Sequence, residues 1–67
     1  MYIEDPRKTI VRNLHKYVRR YESPTEFARK CHIPPVTMRD YLSGRRFPRP
    51  EQLQAIAVEL DIPVLSI

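Results

Sequence analysis

The sequence predicts an all-α domain of four helices, with a short fifth, packed around one small core. Three features of its 67 residues point that way. Apolar residues recur three and four apart in successive stretches, the period of a helix buried along one face. The seven prolines and the single glycine fall at the ends of those stretches or between them. Two of the prolines directly follow Asp5 and Ser23, the kind of residue that caps a helix start. A chain this short is one domain, and it buries only roughly 60% of its unfolded surface, which leaves no room for a deep catalytic cleft.

Asp5-Pro6 opens the first helix, with Asp as N-cap and Pro where its missing N–H costs nothing. Ile10, Leu14, Tyr17, Val18 and Tyr21 then carry helical spacing, so this helix spans about residues 6–20. Its other side holds Lys8, Arg12, Lys16 and Arg19, the pattern of a solvated face, with DNA contact by the residues nearest its ends as the alternative. Ser23-Pro24-Thr25-Glu26 predicts a capping box, with bonds running both ways between Ser23 and Glu26. The second helix, about 24–31, turns Phe27, Ala28 and Cys31 inward. It must stop before Pro34-Pro35, because a residue preceding proline is pushed out of the α region. Pro35 opens the third helix, about 35–43, which Gly44 ends. After Pro48-Arg49-Pro50 the fourth helix, about 50–60, lines up Leu53, Ile56, Ala57 and Leu60. Pro63 interrupts, and residues 63–67 are expected to form the short fifth helix.

Charge is divided along the chain. All twelve Lys and Arg fall in residues 1–49, against five acids, Glu4, Asp5, Glu22, Glu26 and Asp40. Residues 50–67 carry only Glu51, Glu59 and Asp61. With a net charge of +4, the fold should present a basic face suited to a polyanion and a mildly acidic back. No apolar run approaches the ~20 residues of a membrane span, and no signal-peptide pattern precedes the first charges. The expected location is the cytoplasm of a bacterium, or of a host expressing a phage gene. A single cysteine excludes an internal disulfide.

Two short helices separated by a three- or four-residue turn, between longer packing helices, form the helix-turn-helix arrangement. From Ser23 to Leu65 the residues are specific enough to name a resemblance. Phe27-Ala28 in the second helix, Ile33 in the turn, Thr37-Met38 and Tyr41-Leu42 in the third helix stand in order. Ser43-Gly44-Arg45-Arg46-Phe47-Pro48 follows as a basic loop, then Leu53, Ile56, Ala57, Leu60 and Ile62. This stretch resembles the XRE family of lambda repressor- and Cro-like DNA-binding domains. The resemblance implies a compact four- to five-helix fold that binds double-stranded DNA as a transcriptional regulator. It departs from the family pattern at three positions. His32 stands at a usual glycine, where positive φ is required; Pro34 replaces a Ser, Thr or Asn cap; Pro24 replaces a common glutamine.

A recognition helix in the major groove shows one face to base edges and the other to its own core. At 100° per residue, Met38, Tyr41 and Leu42 point inward while Val36, Arg39, Asp40 and Ser43 point outward. Arg39 is the best candidate for base readout, since a guanidinium fits guanine O6 and N7. Val36 suits a thymine methyl, Pro35 lies beside it, and Asp40 suits cytosine N4 or an ion pair with Arg39 or Arg45. Arg45, Arg46 and Arg49, with Thr37 and Ser43, are candidate phosphate contacts, as is Thr25 with the free N–H groups opening the second helix.

Other residues invite chemistry and are better explained by packing. Cys31-His32 lacks a second pair to complete four metal ligands, so Cys31 is expected to be a buried structural thiol. His15 is expected to be exposed. Tyr2, Tyr17, Tyr21 and Tyr41 are expected in the core. No metal, cofactor or small-molecule ligand is indicated, and no nucleophile–base constellation suggests an enzyme. Binding two half-sites implies a homodimer on DNA, for which Ala55, Val58, Val64, Leu65 and Ile67 are the candidate contacts. Two alternatives remain: a protein-interaction adaptor that keeps the fold, and the DNA-binding module of a longer regulator or antitoxin.

Overall fold

In the computed structural model, which describes residues 5–67, every regular element is helical. Helix α1 covers Pro6–Val18, α2 Pro24–Lys30, α3 Pro35–Ser43 and α4 Pro50–Leu60, followed by one 3-10 turn at Val64–Ser66. All four α-helices begin on a proline, and each begins for a local reason. The Asp5 carboxylate accepts from the Arg7 N–H at 2.9 Å, and the Ser23 hydroxyl accepts from the Glu26 N–H at 3.1 Å. Pro34, before α3, offers no side-chain cap. Before α4 the Gln52 side chain reaches back instead, its Oε1 accepting from the Arg49 N–H at 3.1 Å.

Three helices stop in the same way. The Ile33 N–H donates to the Ala28 carbonyl, Arg45 to Asp40, and Ile62 to Ala57, each a bond closing over a residue in left-handed conformation. Those residues are His32 at φ 60°, Gly44 at 81° and Asp61 at 57°. Glycine takes that region freely; histidine and aspartate do so at a cost.

Three expectations need correction. Helix α1 closes at Val18, not near residue 20, because the Arg20 and Tyr21 N–H groups bond three residues back and tighten the chain out of α geometry. Only half of the expected capping box forms: the Glu26 carboxylate lies toward Arg29, at 3.9 Å, while its N–H receives the Ser23 cap. The expected fifth helix is a single 3-10 turn, its Ser66 and Ile67 N–H groups bonding three residues back to the Pro63 and Val64 carbonyls.

The core is one cluster. Leu14 from α1, Phe27 and Ala28 from α2, Cys31 and Ile33 from the connection, Met38 and Tyr41 from α3, and Ile56, Ala57 and Leu60 from α4 are buried together with Ile67. Tyr21 and Phe27 stack with ring centroids 4.8 Å apart. Helix α3 is held from two sides, by α2 and by α1. The His15 ring adds a bond, its Nε2–H donating to the Leu42 carbonyl at 2.7 Å although the side chain is exposed. Tyr17 and Tyr21 are half-buried with their hydroxyls on the Ser66 carbonyl and the Glu59 carboxylate; Tyr2 lies outside the described residues. No helix among the described residues is long and apolar enough to cross a membrane.

Candidate nucleic-acid interface

Helix α3 is anchored through Met38 and Tyr41, both buried, and this fixes which of its residues face outward. Val36 is 70% exposed, an unusual position for a valine, and Pro35 and Arg39 are exposed beside it. Leu42 is half-buried against the core. Asp40 is half-buried too, so it is less available at the front than 100° spacing suggests. It forms no ion pair with Arg39 or Arg45. Its contribution runs through the backbone: the Asp40 carbonyl accepts from the Arg45 N–H at 3.0 Å and the Arg46 N–H at 3.3 Å, and from the Ser43 hydroxyl at 3.0 Å.

This convergence on one carbonyl sets the course of the basic loop. Gly44 turns the chain sharply, and the next two residues are tied to the helix end by their own N–H groups, leaving both arginine side chains exposed. Ser43 belongs to the same device. Its hydroxyl donates to Asp40 and accepts from the Arg45 N–H at 3.3 Å, so its hydrogen-bonding capacity is already engaged within the loop. Ser43 is exposed, and its observed bonds shape the loop that carries Arg45 and Arg46.

Thr37, Tyr41, Arg46, Phe47, Arg49 and Gln52 line one groove of about 250 Å³ between α3, the loop and the start of α4. Three residues singled out from the sequence, Thr37, Arg46 and Arg49, therefore meet at one place. The groove is built around Gln52, whose Oε1 receives both the Tyr41 hydroxyl and the Arg49 N–H. Burial raises the Tyr41 pKa above its usual value near 10.0, while the positive charges of Arg46 and Arg49 pull the other way. The phenol is a neutral donor at ordinary pH, and the two guanidinium groups are near enough for their fields to reach it. Gln52 was not anticipated. The signal was present in the sequence, since a glutamine three residues after the residue preceding a helix matches the capping pattern.

The remaining candidates separate. Thr25 is exposed in the first turn of α2, apart from that groove. On the back of the molecule Val58 is 69% exposed, Val64 38% and Leu65 96%, and Ala55 is half-buried. Ile67 is only 7% exposed and packs into the core, which corrects its assignment as a dimer contact. Cys31 is buried, and burial with the nearby Glu59 charge pushes its thiol up to about 12, so it is a poor nucleophile at neutral pH. Among the described residues no three His, Cys, Asp or Glu side chains gather as a metal site.

Comparison with protein-family models, with curated proteins and with solved structures yields no match. The interface has to be judged on its residues.

Proposed function

We propose that the chain is a sequence-specific double-stranded DNA-binding domain of the helix-turn-helix type, serving a transcriptional regulator of repressor or Cro-like kind. In this reading α2 and α3 are the two helices of the motif and α3 lies in the major groove. The observation that carries it is the placement of Thr37, Arg46 and Arg49 in one groove beside α3, next to the exposed Val36 and Arg39. A phosphate in the groove fixes the helix against the backbone, and Arg39 then reads a base edge. Thr25 serves a second phosphate at the other side of the motif, and Arg45 extends the contact along the loop.

Two copies on a pseudo-palindromic operator complete the reading, with Val58, Val64 and Leu65 as the exposed apolar residues between them. The bare Val36 also suits a protein-interaction adaptor built on the same fold. One experiment separates these readings. Duplexes selected from a random library at ~150 mM salt should converge on a palindromic consensus. Arg39→Ala should then relax preference at one base pair, costing about 1–3 kcal/mol there, whereas Arg46→Ala should weaken all sequences alike. A library with no enriched sequence, together with partner capture lost in Val36→Asp, would favour the adaptor.

A further inference from the structure

A second groove, about 450 Å³, shares Phe47 with the Thr37–Arg46–Arg49 groove. The first turns of α1 supply one wall through Arg7, Lys8, Val11 and Arg12, and Ser43, Gly44 and Phe47 supply the other. Phe47, half-buried, lines both grooves, so they adjoin at that residue. The Arg7 guanidinium sits over that ring, 5.0 Å from its centroid. An aromatic face holds a cation in place without neutralising it, so the charge stays available to an anion on its open side.

The groove contains one carboxylate, Asp5, which is engaged by the Arg7 N–H at 2.9 Å as the cap of α1. The cationic residues lining the groove are Arg7, Lys8 and Arg12, all from the first two turns of α1. The basic character of the loop therefore continues around Phe47 and onto α1, although the two segments are more than thirty residues apart in the chain.

Resting on the DNA reading above, we infer that Arg7 and Lys8 form an additional phosphate-binding groove that takes the backbone of the same duplex next to the phosphate held by Arg46 and Arg49. Its occupant is a phosphodiester. The two subsites meet at Phe47. The continuity of the two grooves and the match of positive side chains to a polyanion carry the inference. Arg7 drew no attention in the sequence, because nothing in the spacing of the first helix brings it to Phe47.

The test is the salt dependence of binding to a duplex of arbitrary sequence, followed by fluorescence anisotropy. Each lost phosphate contact flattens the slope of log K against log salt by about 0.9. The double variant Arg7→Ala/Lys8→Ala should flatten it by about 1.8. Lys16→Ala/Arg19→Ala removes the same charge from the other end of α1 and its C-cap, away from the groove, and should leave the slope nearly unchanged. Equal flattening in both doubles would mean a diffuse field and would overturn the inference. So would a lower melting temperature with an unchanged slope in Arg7→Ala/Lys8→Ala, which would leave Arg7 only a partner for Phe47. Arg7→Lys, which keeps the charge, should retain the slope even where it weakens the ring contact. Wild-type chain that binds DNA with a slope indifferent to Arg7 and Lys8 removes this inference alone; wild-type chain that binds no duplex removes the DNA reading with it.

Discussion

Val36 on the front of α3 and Val58 on the back of α4 are almost equally bare, at 70% and 69% exposure, yet their neighbourhoods are opposites. Val36 shares its helix with the exposed Arg39, and its neighbour Thr37 shares a groove with Arg46 and Arg49 of the following loop. Val58 borders a groove with Gln54, Asp61, Ile62, Pro63 and Val64, in a segment that contains no Lys or Arg. Exposure of an apolar side chain says that a surface is available. The charge beside it says to whom. An exposed valine on a helix that also carries an exposed arginine and leads into a basic loop suits a nucleic acid, where the cations hold the backbone and the methyls meet a base. A valine in an acidic, apolar setting suits another protein surface.

The sharpest way to break that contrast is to give both valines the same charge. Val36→Asp should cost several kcal/mol of DNA affinity, about 100-fold or more, by setting a carboxylate against phosphates. Val58→Asp should leave the affinity for a single half-site unchanged and abolish cooperative binding to a two-site duplex. Equal losses on a half-site duplex in both variants would put the front and back in the same interface and end the distinction. Salt should separate the faces next. If Arg45, Arg46 and Arg49 each neutralise one phosphate, they alone contribute about −2.7 to the slope of log K against log salt, roughly a 40-fold loss between ~50 and ~200 mM salt. Any self-association through the back face should change little over that range, a difference that sedimentation at the two salt concentrations would show.

A smaller effect concerns how the two sides end their helices. Gly44 closes α3 at the front without strain, whereas His32 and Asp61 hold φ of 60° and 57° with side chains present. His32 is exposed, so its ring adds little packing. His32→Gly should stabilise the fold by about 0.5–1 kcal/mol in thermal melts, and leave DNA affinity alone. Gly44→Ala should destabilise by a similar or larger amount: an added Cβ finds space, 3.9 Å from Val11 Cγ2, but the backbone remains left-handed.

The last prediction lies outside the neutral range. Burial raises the Cys31 thiol from 9.0 to about 12, and burial with the Glu59 hydrogen bond raises the Tyr21 phenol from 10.0 to about 12. Both groups are neutral acids held protonated by folding, so their contribution is fully present below pH 9 and lost as pH rises toward 12. Melting temperature should be flat through pH 7–9 and fall above it under reducing conditions. In Cys31→Ala the fall should begin about one unit higher, where Tyr21 alone responds; an unchanged onset would remove the thiol from the explanation.

Local chemistry made the helices legible from the residues. Asp5-Pro6, Ser23-Pro24 and Pro34-Pro35 mark starts whose φ is set by the proline ring itself, and the expected starts at 24, 35 and 50 need no distant contact. The amphipathic spacing likewise gave the core, because a helix has one direction in which Leu14, Phe27, Met38 or Ile56 can be hidden. Where the reading failed, the deciding partner was elsewhere in the chain or was a backbone group. The Ser43 hydroxyl meets the Asp40 carbonyl and the Arg45 N–H within the loop, and Ile67, which the sequence allowed either in a dimer contact or in the domain's own core, lies in the core.

By itself, then, the sequence determined the helical content, the starts of the helices and the separation of a basic segment from an acidic one. These depend on dihedral limits and on charge, which each residue carries wherever it stands. Tertiary structure decided that Tyr41 and Arg49 share Gln52, and that Arg7 from the first helix lies over Phe47 beside the loop. Spacing along a chain cannot specify such meetings, because they exist only once hydrophobic packing has set the helices at particular angles and brought remote side chains within a few ångströms.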